Sequence, residues 1–264
     1  MNTLTQSRSA QMLNKVPQVT LIFWIVKMMS TTVGETGADL LNADLGFGLA
    51  KTSLLTSALL VVALAAQLRT RRYVPSIYWL TVVLISTVGT LITDSLIDLY
   101  HVPLTTTTAV FSVALIATFA AWYASERTLS IHSITTTRRE LFYWLAILFT
   151  FALGTAAGDL VAEGLNLGYA TSALIYGGLI ALVALAFYAL KLNAVLAFWI
   201  AYILTRPFGA SIGDWLSQPA SNGGLGLGTV WTSVAFLVAI LAAVVWMTIT
   251  RFDALDAREQ AAIA

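Results

Sequence analysis

The sequence predicts an all-α integral membrane protein: eight transmembrane helices forming four parallel helical-hairpin repeats, with two-plus-two pseudo-symmetry about the membrane normal. Three observations carry this reading. Apolar side chains make up 58% of the 264 residues and charged ones only 10%, with a mean hydropathy of +0.83. A soluble domain covers itself with about 25% charged residues. Apolar stretches long enough to cross about 30 Å of hydrocarbon recur along the whole chain. One spaced signature of aromatic, tryptophan, glycine and aspartate returns in every second stretch.

Taken in order, the spans fall near 18–41, 51–68, 74–98, 104–124, 140–163, 170–190, 193–216 and 228–250. The first follows a polar segment without a small-residue cleavage site, so no removable signal peptide is expected. The second contains the run Leu54 to Leu68 (LLTSALLVVALAAQL), which lacks the alternation of a transmembrane strand. The same holds for 172–190, and helices are the remaining choice. Connections are short and leave no room for a separate soluble domain. The chain therefore reads as a single transmembrane domain with repeats at 18–68, 74–124, 140–190 and 193–250, flanked by tails 1–17 and 251–264.

Basic residues set the orientation. Arg8, Lys15, Arg69, Arg71, Arg72, Arg127, Arg138, Arg139, Lys191, Arg251 and Arg258 fall on one side, 11 of the 14 Lys and Arg. Asp39, Asp44, Asp94, Asp98, Asp159, Glu163 and Asp214 fall at the opposite ends. This predicts a bacterial cytoplasmic (inner) membrane protein with both termini cytoplasmic. Lys27, three residues after Trp24, is expected to snorkel toward the cytoplasmic interface.

The repeat is explicit. Trp24, Trp79, Trp144 and Trp199 follow Phe23, Tyr78, Tyr143 and Phe198. Ten residues later stand Gly34, Gly89, Gly154 and Gly209, and fifteen residues later Asp39, Asp94, Asp159 and Asp214. The tryptophans are 55, 65 and 55 residues apart, so the halves superpose with a shift of 120, which also aligns Gly48 with Gly168. On these residues the sequence resembles an uncharacterised family of bacterial multi-pass membrane proteins. That family is built from four tandem two-helix repeats, each with a characteristic tryptophan. The resemblance implies a fold and no chemistry.

Two helices per repeat return each repeat to the same side, so the repeats are parallel. The four tryptophans are then expected as anchors at the cytoplasmic interface. The four aspartates lie roughly 22 Å further along, at 1.5 Å per residue. At helical spacing one face of each odd span carries the polar groups. Thr31, Glu35 and Asp39 lie on the first, Ser86, Thr90 and Asp94 on the second, Thr155 and Asp159 on the third, Arg206 and Asp214 on the fourth. The even spans are nearly pure Ala, Leu, Val and Ile.

Asp39, Asp94, Asp159, Asp214 and Glu35 are the candidate cation-binding residues, as an acidic ring in the outer half of the bundle; helix-end capping is the alternative. Oxygen ligands without cysteine, and with only His101 and His132 as histidines, suit hard cations. Thr31, Ser86, Thr90 and Thr155 are supporting polar groups. Gly34, Gly89, Gly154 and Gly209 either allow close helix packing or, with Pro207, mark a broken helix. Arg206 cannot discharge itself, so it needs an acidic partner, Glu35 or one of the aspartates, or an anionic ligand; it is expected as a counter-charge facing Glu35.

A formal net charge of +1 gives no support to a nucleic-acid partner. The Walker, H-E-x-x-H and G-x-S-x-G signatures are absent, so neither an enzyme nor a cofactor is expected. The leading expectation is a small secondary transporter of a hard inorganic cation, divalent metals such as Mn²⁺ included, with proton coupling open. The alternatives are a membrane scaffold or sensor, and then an intramembrane enzyme. The lipid bilayer and the cation are the expected partners; the oligomeric state is left open.

Overall fold

The computed structural model describes residues 14–253. Arg8 and Arg258, and the tail segments 1–13 and 254–264, lie outside the described residues. Eight long helices follow in order: α1 (Leu21–Asp39), α2 (Leu49–Arg69), α3 (Pro75–Asp94), α4 (Leu104–Glu126), α5 (Thr137–Asp159), α6 (Tyr169–Leu190), α7 (Ala194–Ser217) and α8 (Thr229–Thr250). Local chemistry sets their starts. Thr20 and Thr136 accept Phe23 N–H and Arg139 N–H, Asn193 Oδ1 accepts two amides, and Pro75 opens α3 at the first helical position. Gly48, Gly168 and Gly228 precede α2, α6 and α8 with φ of 74°, 77° and 78° and extended ψ, a region open essentially to glycine alone.

Seven of these helices are long and apolar enough to cross a membrane. The exception is α1, which carries Lys27, Glu35 and Asp39 within nineteen residues. Its charges turn inward, so the sequence average hides how it packs.

The odd helices form a closed inner ring in which α1 packs on α3, α3 on α5, α5 on α7 and α7 on α1. The even helices lie outside, and here the hairpin expectation needs correcting. Each even helix packs along the odd helix of the next repeat: α2 on α3, α4 on α5, α6 on α7, and α8 back on α1. The two helices of one repeat barely touch. A repeat cannot bury its own polar face, and the ring closes only when all four are present. The outer helices expose Leu54, Val61, Val113, Leu174, Leu182 and Leu241 to the surroundings.

Glycine spacing explains the closeness of the inner ring. A Cβ on Gly34 would collide with Ser86, on Gly89 with Phe151, on Gly154 with Arg206, and on Gly209 with Thr31. Each glycine meets the residue seven positions after the tryptophan of the next repeat. These are packing positions and not helix breaks: α7 runs unbroken through Pro207, which lies 3.6 Å from where a Gly158 Cβ would stand. In the turn before Pro207, Thr205 Oγ1 donates to Tyr202 O at 2.7 Å.

Asn14, Lys15 and Val16 are buried, and Gln18 N–H donates to Asp253 O at 2.9 Å, so residues 14–17 and Asp253 pack against the helices while Arg251 and Phe252 are exposed.

Candidate functional site

The interior of the odd-helix ring is layered, and the first layer is aromatic. Phe23 packs on Trp79 at 5.6 Å between ring centres, Tyr78 on Trp144 at 5.5 Å, Tyr143 on Trp199 at 6.2 Å, and Phe198 on Trp24 at 5.6 Å. Each repeat's first aromatic thus touches the next repeat's tryptophan, and the fourth closes on the first. The expectation of four interface anchors is overturned for three of them: Trp79, Trp144 and Trp199 are 1–4% exposed, and only Trp24 is half-buried. Flat indoles fill the wedge between neighbouring helices, where each such pair contributes about 0.5–1.5 kcal/mol beyond its burial. Within this layer the hydroxyls of Tyr78 and Tyr143 lie 2.5 Å apart.

Charge begins one turn further along. Lys27 does not snorkel; it is 0% exposed. Its Nζ donates to Thr31 Oγ1 at 3.1 Å and lies 4.4 Å from the Phe151 ring centre and 4.5 Å from that of Tyr202. Arg206, also 0% exposed, sits in the next layer. Its Nη2 donates to Glu35 Oε2 at 2.8 Å, to Thr155 Oγ1 at 2.6 Å, and to Thr90 Oγ1. Thr90 Oγ1 in turn donates to Glu35 Oε2 at 3.3 Å. All four repeats contribute to this cluster, and Ala210, the fourth repeat's counterpart of Glu35, is among the smallest of the buried side chains there. The counter-charge geometry expected of Glu35 and Arg206 is present.

The aspartates stand beyond this cluster. Asp39, Asp94 and Asp159 are half-buried and Asp214 is buried. Each lies within electrostatic range of Glu35 and of other members of the set. They do not cap helices. After Asp39, Asp94 and Asp159 the chain continues for one π-helical turn, Leu40–Asp44, Ser95–Leu99 and Leu160–Gly164, and none of the three carboxylates makes a capping bond. No three Asp, Glu or His groups among the described residues come close enough to hold a metal ion. Among the described residues the four aspartates are therefore not a preformed metal cage.

At the opposite, aromatic end, Lys15 reaches in from the N-terminal segment. Its Nζ donates to Glu140 Oε2 at 2.6 Å and to Leu68 O at 3.1 Å, while Gln67 Nε2 donates to Glu140 Oε1 at 3.2 Å. Both charged side chains are 1% exposed. Outside the helices, Tyr73 donates its hydroxyl to Asp253, whose carboxyl is pushed above the ordinary carboxylate range by burial.

The structure therefore unites Glu35, Arg206, Thr90 and Thr155, places Thr31 against Lys27, and leaves Ser86 Oγ buried without a partner. Sequence reasoning missed Lys27, Tyr202 and the Lys15–Glu140 pair as interior groups. The signal for Lys27 was there: it stands four residues before Thr31 on the polar face of α1.

Comparison with known proteins adds one finding. A family model described as Repeat of Unknown Function (DUF347) matches residues 22–73, 77–128, 142–193 and 197–252, each stretch starting two residues before a repeat tryptophan. No curated protein and no solved structure matches the chain.

Proposed function

We propose a function for this chain on the premise that it belongs to the DUF347 repeat family: it is a small secondary transporter of an inorganic cation. In this reading all eight long helices span a bacterial inner membrane with both termini in the cytoplasm. The basic residues gathered at one set of helix ends support that orientation. The repeats are then related by an axis along the membrane normal.

The observation that carries the reading is the buried Glu35–Arg206 pair beneath a mouth of four aspartates that form no ion pair among the described residues. A scaffold needs only packing, and a dry apolar axis would serve it better than buried charge, which is costly and in membrane helices usually lines a pathway. The aspartates raise the local concentration of cations at the mouth. A cation or proton reaching Glu35 competes with Arg206 for the same carboxylate oxygen, so loading the site frees the guanidinium. Returning Arg206 to Glu35 expels the ion and bars a leak. A single buried carboxylate with hydroxyl neighbours suits a proton or a weakly coordinated small cation better than a metal needing three protein ligands.

The test is flux in proteoliposomes loaded with pH-sensitive and cation-sensitive dyes, under imposed gradients of H⁺, Na⁺, K⁺, Mg²⁺ and Mn²⁺. Wild-type protein should move at least one of these, and Asp94→Asn and Asp214→Asn should slow it while the protein still purifies as a monodisperse species. Absence of flux for every ion, with all Asp→Asn variants indistinguishable from wild type, would return the chain to the scaffold class.

A further inference from the structure

Buried donors around Lys27 and Arg206 outnumber their acceptors. Both basic side chains are fully enclosed, and Glu35 is already bound to Arg206. Lys27 forms no ion pair among the described residues; its ammonium has one hydrogen-bond acceptor, Thr31 Oγ1, and two ring faces. Three N–H bonds on that ammonium leave two unused. Arg206 is short of acceptors as well. Its Nη2 serves all three partners, while Nε and Nη1 are buried and have none.

The two cations are neighbours. Lys27 Nζ lies 4.4 Å and Arg206 Cζ 5.6 Å from the centre of the same Phe151 ring. The hydroxyls of Ser86 and Tyr202, in the two layers these cations occupy, are also buried without partners. Unpartnered donors on two basic side chains and two hydroxyls, with no protein acceptor for them, all call for the same missing group.

We infer that the centre of the helix ring binds a small monovalent inorganic anion of halide size between Lys27 and Arg206. Arg206 Nε and Nη1 and the free N–H bonds of Lys27 supply the charged donors, and the Ser86 or Tyr202 hydroxyl completes the set. Glu35, already bound to Arg206, and the buried Asp214 beyond it set fixed acidic groups close by, which selects a monovalent over a divalent anion. The packed ring, with glycines set against the neighbouring helix at four places, selects a spherical ion over a bulky oxyanion. The inference is separable from the cation reading, because an anion held by these donors binds whether or not a cation is carried.

The experiment uses the purified full-length chain in detergent. Melting temperature and titration heat are followed as sodium chloride or sodium bromide replaces sodium gluconate at constant ionic strength. Wild type should show a saturable rise in melting temperature with chloride and with bromide. Lys27→Met keeps the length of the side chain and removes its charge, and it should weaken halide binding roughly thirtyfold or more. Anomalous scattering from bromide-soaked wild-type crystals gives a second readout that does not depend on the variant folding, with the peak expected between residues 27 and 206. No saturable halide effect in wild type, no bromide peak there, or equal halide binding by a folded Lys27→Met protein each overturns the inference. Cation flux is scored separately in the liposome assay, so either proposal can fail alone.

Discussion

Arg206 Nη2 lies 2.8 Å from Glu35 Oε2, which ties the fourth repeat to the first across 171 positions of sequence. Both side chains are buried, so removing one strands the other. Glu35→Gln or Arg206→Gln alone should cost about 3–5 kcal/mol. The double variant should recover most of that loss, since two neutral groups need no counter-charge. Thermal melting of the four proteins in one detergent measures the cycle. A double variant no more stable than the worse single would show that the pair contributes nothing as a pair.

The aromatic ring makes an unequal prediction for equivalent residues. Trp79, Trp144 and Trp199 are enclosed, whereas Trp24 is half-buried. Trp→Ala should cost about 3–5 kcal/mol at each of the three enclosed positions and distinctly less at Trp24. Interface anchors would behave alike at all four positions and tolerate tyrosine, so the ranking of melting temperatures separates the two roles.

Glycines separate in the same manner. A methyl on Gly89 would stand 2.6 Å from Phe151 Cβ and 3.2 Å from a backbone nitrogen, while one on Gly37 would meet nothing within 4 Å. Gly89→Ala should destabilise by about 1–3 kcal/mol through overpacking. Gly37→Ala should stabilise by up to about 1 kcal/mol, because alanine is the better helix former.

The proposed topology is checked by single-cysteine labelling in a chain that has no native cysteine. Cysteines at Arg71, Arg138 and Lys191 should react with an impermeant reagent only from the cytoplasmic face, and those at Asp44, His101 and Asn222 only from the opposite face. Positions 71 and 101 reacting from the same side would exclude the parallel arrangement in a membrane.

The clasp between Tyr73 and Asp253 should respond to pH. Burial raises the Asp253 carboxyl above its ordinary range. A group raised in the folded chain contributes stability that is complete below its unfolded pKa and lost as pH rises through the folded one. The wild-type protein should therefore lose stability relative to Asp253→Asn as pH climbs from the ordinary carboxylate range upward. Melting curves of both proteins across that range test it; parallel curves would mean that Asp253 carries no linkage.

The eight helices were legible because apolar length and helical periodicity act locally: the apolar runs, Pro75 and the Thr20 and Thr136 caps all sit within a few residues of the boundaries they set. The repeat was legible because fixed spacings of tryptophan, glycine and aspartate survive as spacings in one dimension. The Glu35–Arg206 pair followed from charge conservation, since an arginine that cannot discharge needs a partner and Glu35 was the acidic residue added at a neighbouring depth.

What each motif touches was decided only in three dimensions. Nothing in the [FY]-W dipeptide says that Phe23 packs on Trp79 of the next repeat, or that α8 returns to α1 in place of packing on α7. The aromatic pairs therefore read as interface residues and the repeats as hairpins. Lys27 carries the same lesson. Three residues from an aromatic at a span's edge, a lysine can reach the interface, and its enclosure depends on Phe151 and Tyr202 arriving from α5 and α7. Local physics fixes which segments become helices and which of their faces are polar. Which faces meet depends on closing four repeats into one ring, where the Glu35–Arg206 cluster and the aromatic layer are closed by contacts between repeats.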